Sequence, residues 1–354
     1  MKRPTQADVA RIAGVSRATV SYVLNDRTDG RIRITSETRQ KVLKAAEELG
    51  YAPSALARNL RSGTSRMIGF LMPWVHNPHY WDILEGAEDE IANRGYHLVL
   101  ETAHLDPERE RRSLQSLFQG RLDGLILIPT FIERFSDELQ LLAERHSPVV
   151  LLKPNEDTDW VFPDIRAGYE VLMDHLLELG HRRIAFINGV LRRRIYQLRE
   201  EVYREKMAEA GLSVDPALLC YCGPHAQDAY LQARAILDLD DPPSAISTVN
   251  DLLAMGALRA IHERGLTVPG DVALAGFDDN VLAKQLYPPL TTVRMPAHEL
   301  GRRAVEFLFA RLEHPKGNLM QELMPMDLVV RQSTVADPAD VAVPERLSEL
   351  TKAN

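Results

Sequence analysis

Apolar residues recur along this chain with two periods, and the period changes near residue 65. Before that point they fall three and four apart, the spacing of short amphipathic helices. Thr5 is placed to cap a first helix, with Asp8 three residues on to meet its free N–H groups, Val9 and Ile12 sharing one face, and Gly14 ending it. Ser16 caps a second, in which Val20, Val23 and Leu24 point inward and Arg17, Ala18, Ser21 and Tyr22 are left on the outer face. A third, predicted over Glu37 to Leu49 after the cap residues Thr35 and Ser36, buries Val42, Ala46 and Leu49 and stops at Gly50. The stretch SALARNLR, Ser54 to Arg61, then spells one more helix between Pro53 and Gly63. Isolated helices shorter than roughly a dozen residues are marginal in water, so this one needs a partner surface such as DNA or its own copy, with a solvated linker as the alternative.

From Met67 onward the pattern becomes short apolar runs: MIGFLM from Met67, YHLVLET from Tyr96, DGLILIP from Asp123, PVVLL from Pro148, RIAFIN from Arg183, LLCYC from Leu218, SAISTV from Ser244 and VALAGF from Val272. Between them lie stretches such as YWDILEGAEDEIANRG and YLQARAILDLD with helical spacing of their apolar residues. Short strands separated by helices predict parallel βαβ sheets, and eight of them with a midpoint near Asp164 predict two doubly wound halves. A chain of 354 residues that is 45% hydrophobic has ample material for such a core.

Charge changes the picture by dividing the chain. Its net charge is −8, yet residues 1–64 hold twelve Lys and Arg against six Asp and Glu, leaving +6 at one end and −14 on the rest. A basic helical module ahead of an acidic α/β body is the electrostatic footprint of nucleic-acid binding at one end. A three-helix domain without a DNA role is the plainer alternative. No Walker A, GxGxxG after the first strand, GxSxG or HExxH occurs in the sequence, so no enzyme class is indicated and no cofactor is expected. Cys220 and Cys222, one residue apart in a strand, are expected to face opposite sides of the sheet and to form neither a CxxC redox pair nor a zinc site. His76 and His79 flank Asn-Pro without further ligands at defined spacing, so no metal is expected there. With two cysteines, no secretory segment and no apolar run near eighteen residues, the chain reads as a soluble cytoplasmic protein with no membrane partner.

The series VARIAGVSRATVSYVLN, ALARNLRSGTSRMIG, NDLLAMGALRAI, VALAGFDDN and PPLTTVRMP, in that order, resembles the lactose-repressor (LacI/GalR) family of transcriptional regulators from Thr5 to about Ala336. The resemblance implies an all-α helix-turn-helix domain over residues 1–50, a hinge helix within 51–64 and a bilobed, periplasmic-binding-protein-like α/β core over 65–336 with two doubly wound parallel sheets. Its first lobe would comprise about 65–164 and 294–322, its second about 165–293 and 323–336, with helix Ala297 to Arg311 returning to the first. A polar tail, 337–354, contains Leu347 and Leu350 but no heptads, so no tetramerising coiled coil is expected.

By position, the resemblance further implies that Arg17, Ala18 and Tyr22 face base edges and that Thr5, Ser16, Thr19, Ser21 and Asn25 contact phosphates. Leu60 would enter the minor groove beside Ala57, with Arg58 available to phosphate. It implies a homodimer, and a two-fold dimer recognises a near-palindromic operator. Ligand sites in open α/β sheets sit past the carboxyl ends of strands, where this chain places PWVHNPHYW, PTFIERF, Asn250-Asp251 and Asp278-Asp279-Asn280. The resemblance puts His79, Tyr80, Asp164, Arg199, Asn250 and Asp278 at pocket positions, although Val202 stands where the family has Gly after Arg199. Amides, carboxylates and an aromatic face suit a sugar as effector, with a nucleobase or other metabolite second. Arg192-Arg193-Arg194 is read as a solvated run, or as a basic loop favouring an acidic ligand. Asp251 is expected to cap the following helix, and Asp279 or Asn280 the turn before Val281. The expected activity is a ligand-responsive repressor.

Overall fold

The computed structural model describes residues 4–24, 34–51, 64–131, 148–189 and 194–336, in two compact units that meet in sequence at Arg66–Met67. The expected helix 54–61 with Ala57, Arg58 and Leu60 lies outside the described residues, as do Asn25, Arg192, Arg193 and the tail from 337.

The first unit contains α1 (Gln6–Ala13), α2 (Arg17–Leu24) and α3 (Ser36–Glu48). At its start the Thr5 N–H donates to the Asp8 carboxylate at 2.9 Å and the Thr5 hydroxyl donates to the same oxygen at 2.7 Å. These bonds hold Asp8 below the usual carboxylate range. Gly14 ends α1 in the left-handed region (φ 65°), where a Cβ is costly. The Ser16 Oγ accepts from the Thr19 N–H at 3.1 Å and the Thr35 Oγ1 from the Thr38 N–H at 3.2 Å, fixing the next two starts. Val9, Ala10, Val20, Val23, Val42, Ala45 and Ala46 form one small core. Ile12 departs from expectation: it is 45% exposed, and Ala10 and Ala13 take the inward positions beside Val9.

The second unit is built on two six-stranded sheets. The first has the order β11 (Gln321–Met324), β5 (Asp159–Pro163), β4 (Val149–Leu151), β3 (Gly124–Leu127), β1 (Met67–Met72), β2 (His97–Thr102). The second runs β12 (Asp327–Val329), β10 (Thr291–Arg294), β9 (Ala273–Asp278), β8 (Ala245–Thr248), β6 (Ile184–Gly189), β7 (Leu219–Cys222). Pairing is parallel except at β10–β12. All eight runs read from the sequence are strands, and β5, β10, β11 and β12 complete the sheets. The helices are α4 (Pro78–Asn93), α5 (Pro107–Gln119), α6 (Ile165–Glu178), α7 (Arg194–Glu209), α8 (Ala226–Leu237), α9 (Asp251–Glu263), α10 (Val281–Gln285) and α11 (Ala297–Glu313). Among the described residues no helix is long and apolar enough to cross a membrane.

The chain passes between sheets three times: at Asp164 from β5 to α6, at Met295–Pro296 from β10 to α11, and at Pro325–Met326 from β11 to β12. Helix α11 belongs with the first sheet because glycines let it lie against α4. A Cβ on Gly301 would fall 2.0 Å from the Ile83 carbonyl oxygen, and one on Gly86 would fall 1.9 Å from that of His298. Arg311 then forks onto the buried Asp159 carboxylate of β5 with two 2.7 Å bonds. Cys220 and Cys222 require a correction. Residues two apart in a strand share a face, and Tyr221 between them is the one turned outward.

Candidate functional site

A cleft with about 450 Å³ of empty space, part of it open solvent, lies between the two lobes of the second unit. From the first lobe come Trp74, Asn77, Tyr80 and Leu105; from the second come Gly189, Tyr196, Cys222, Gly223, Pro224, Val249, Asn250 and Leu253. Most follow the carboxyl ends of β1, β6, β7 and β8, which is where a doubly wound sheet leaves room for a ligand. Contacts join the lobes across it. Asn77 Nδ2 donates to Asp278 Oδ2 at 3.3 Å, in a buried position. The Trp74 ring meets His225 edge to face, with centroids 5.3 Å apart and planes at 80°.

Of the six expected pocket residues, Tyr80 and Asn250 line the cleft directly. Asn250 also caps α9, its Oδ1 accepting from the Leu253 N–H at 2.9 Å; Asp251, expected as the cap, is the first helical residue. Asp278, His79 and Arg199 are buried behind the lining, at 6%, 8% and 3% exposure. Asp278 reaches the cleft through Asn77, His79 tilts against the Tyr80 ring at 4.7 Å, and the Arg199 guanidinium lies 4.3 Å from the Phe277 ring centroid. Asp164 is not among the lining residues; its carboxylate caps α6 through the Ala167 N–H at 3.1 Å. Val202, in place of the family's Gly, is fully buried in the core. Leu105, Tyr196 and Pro224 were not singled out from the sequence, Cys222 was weighed only as a redox or zinc residue, and Trp74 and Asn77 were covered only as part of the stretch PWVHNPHYW. Asn77-Pro78, a cap residue followed by Pro at the first helical position, is the signal that could have marked one of them.

In the first unit Thr5, Ser16, Arg17 and Ala18 are exposed and Thr19, Ser21 and Tyr22 half-buried. Residues 5–54 match the model for bacterial regulatory proteins of the lacI family, and residues 173–334 match that for a periplasmic binding protein-like domain. The chain is 33% identical to the HTH-type transcriptional repressor PurR of Haemophilus influenzae (strain PittEE), over 93% of this chain and 98% of that protein. It is 37% identical to the ribose operon repressor of Escherichia coli (strain K12), over 88% and 94%. Its structure matches the lac repressor dimer bound to operator and the anti-inducer ONPF with a TM-score of 0.82 at 27% identity, covering 94% of this chain and 99% of that one. The chain belongs to the lacI family. It is a ligand-responsive, DNA-binding transcriptional regulator, with the helix-turn-helix unit and the bilobed core as its two working parts.

The electrostatics of this lacI-family cleft are set by burial. Burial raises the Asp278 carboxyl to about 7, with the Arg199 guanidinium and the Asn77 hydrogen bond opposing the rise. It lowers His79 to about 4, so that ring is neutral near pH 7, with Asp82 opposing and Arg199 adding to the shift. Arg199 is itself lowered by burial and sustained by Asp278. Among the described residues, the Nδ1 of His79, the Nε of Arg199 and the Nδ2 of Asn280 are buried polar atoms with no hydrogen-bond partner, so three remain to be satisfied. Asp251, fully buried on α9, is raised well above the usual range by burial and then by Asp278. It accepts from Thr292 Oγ1 at 2.6 Å and from the Asn280 N–H at 2.9 Å. Asn280 caps α10, whereas Asp279 caps nothing: its carboxylate is paired with Arg294 and Arg331.

Proposed function

We propose that this regulator is a homodimeric repressor of a near-palindromic operator, relieved or reinforced by a neutral sugar held between its lobes. The observation that carries the effector class is the lining of the cleft. Among the described lining residues there is no Lys, Arg, Asp or Glu; two carboxamides, Asn77 and Asn250, stand among the aromatic rings of Trp74, Tyr80 and Tyr196. Carboxamides both donate to and accept from vicinal hydroxyls, and rings cover the apolar face of a pyranose or furanose. The name of the E. coli relative, a ribose operon repressor, makes D-ribose the first candidate.

At the other end, Arg17, Ala18 and Tyr22 would read base edges, Arg17 through a bidentate contact to guanine. Thr5, Ser16, Thr19, Ser21 and Asn25 would hold phosphates, while Leu60 would wedge a minor-groove step beside Ala57, with Arg58 on the backbone. His79, Tyr80, Asp164, Arg199, Asn250 and Asp278 remain the proposed effector residues, with Asp164 acting through the helix it caps.

Thermal unfolding with D-ribose, cellobiose, glucose 6-phosphate and hypoxanthine tests the effector class. A ligand at about a hundred times its Kd adds about 2.7 kcal/mol to the folded state, on the order of 5 °C for a core of this size. A neutral sugar is expected to give that shift, and Asp278→Ala to remove it. A shift with the phosphate ester or the base alone overturns the sugar reading; a sugar shift that survives in Asp278→Ala takes Asp278 out of the site.

A further inference from the structure

Two doublets at strand ends share one arrangement. In Asn250-Asp251 and Asp278-Asp279 the first residue serves the cleft and the second serves strand β10. Asn250 lines the cleft, and Asp251 accepts the Thr292 hydroxyl of β10 at 2.6 Å. Asp278 bonds Asn77 of the opposite lobe, and Asp279 accepts from Arg294 Nε, the last residue of β10, at 2.8 Å. The second Asp279 oxygen accepts from Arg331 Nη2 at 2.5 Å, just past β12, and Arg331 Nη1 donates to the Leu290 carbonyl at 2.7 Å. Only 3% of the Asp279 side chain and 13% of the Arg331 side chain are exposed, so the Asp279–Arg331 pair is little screened.

The placement of the two arginines gives the cluster its significance. Arg294 is the residue before the Met295–Pro296 crossing, and Arg331 follows the strand that emerges from the Pro325–Met326 crossing. One carboxylate therefore grips the chain beside one passage between the lobes and at the far end of the short strand that emerges from another. The backbone joins in, since the Met295 N–H donates to the Asp278 carbonyl at 3.2 Å. Asp278 and Asp279 both have positive φ, 111° and 52°, conformations that non-glycine residues keep only when neighbours impose them. Any backbone movement of Asp278 turns the peptide that it shares with Asp279.

We propose that Asp279 is the positioning residue that couples occupancy of the cleft to the angle between the lobes: it touches no ligand, and it transmits the movement of Asp278 to β10 and the second crossing. The inference builds on the ligand response proposed above and extends it to a specific mechanical link.

Asp279→Asn keeps the shape and removes the charge. Hydrogen exchange on the full chain without any ligand is the primary test. Amides of residues 291–298 and 327–332 are expected to exchange about tenfold faster than in the wild type, while those of β6 and β8 keep their rates. A purely stabilising role would speed the whole second sheet in parallel, and that outcome, or no change at the crossings, overturns the proposal. Arg294→Gln removes one arm from a half-exposed position and serves if Asp279→Asn does not fold, with Arg294→Lys expected to restore wild-type exchange. The second measurement is operator affinity with and without D-ribose. In Asp279→Asn the ratio of the two is expected to fall toward one while D-ribose affinity stays near that of the wild type. An unchanged ratio counts against the link. If D-ribose has no effect on the wild type, the effector assignment has failed, and the exchange data still decide the role of Asp279.

Discussion

Asp278 combines three properties that are costly to hold together: burial, a positive φ and a hydrogen bond to the other lobe. With its pKa raised to about 7, the folded protein keeps a proton that the unfolded chain, near 3.8, has already released. Stability contributed by this group therefore falls as pH rises from about 4 to about 7, by up to about 4 kcal/mol, and is flat above that range. His79 and His175, both lowered to about 4 by burial, act in the opposite sense: their contribution is lost as pH falls from 6.5 to 4. Asp278→Asn separates the two effects. The stability of the variant minus that of the wild type, from urea unfolding, is expected to grow between pH 4 and 7 and then level off. A difference independent of pH places the buried proton elsewhere.

The decisive contact between elements is the crossing of α4 and α11, where Gly86 and Gly301 bring two backbones together. A methyl group at either position meets backbone oxygen at about 2 Å, which no rotamer change relieves. Gly301→Ala is expected to cost about 1–3 kcal/mol in urea unfolding of the core, while Gly95→Ala, also a glycine but with open space around it, loses only through its positive φ. Equal losses would mean that the helix contact yields. Elements of this kind were unevenly legible in the sequence. The eight apolar runs announced their strands because both faces of a parallel sheet are buried. β5 alternates Asp159, Trp160, Val161 and Phe162, and β12 has three residues, so neither presents a run to read. Ile12 misled because α1 is two turns long: three alanine-sized and valine-sized side chains suffice to fill its inward face. Asn250 and Asp251 are equally good caps by residue type, and only the Thr292 hydroxyl and the Asn280 N–H decided which was free to cap.

At the scale of the whole molecule the division of charge between the first 64 residues and the rest was plain from composition, and so was the presence of two sheets. The return of α11 to the first lobe was not, because the Arg311–Asp159 fork and the Gly86–Gly301 approach join residues far apart in sequence. The cleft was half visible: strand ends pointed to Asn250 and to the stretch that holds Trp74 and Tyr80, whereas Leu105 and Tyr196 were brought to it by the meeting of the lobes. The proposed dimer, reading two half-sites, makes a geometric prediction. An operator in which five base pairs are added between half-sites turns one of them to the opposite face of the duplex, and specific affinity in a fluorescence-anisotropy titration is expected to drop roughly a hundredfold. Ten added base pairs should restore part of it. Insensitivity to spacing would indicate that one module binds alone.

The three passages between sheets also impose an order of events during synthesis. The helix-turn-helix unit closes its own core with residues before 50, and so is complete early on the ribosome. The first sheet waits for Gln321–Met324 and the second for Asp327–Val329, so neither lobe acquires its edge until nearly the whole core has been translated. A nascent or prematurely terminated chain thus carries the DNA-reading module before it has anything with which to sense a signal.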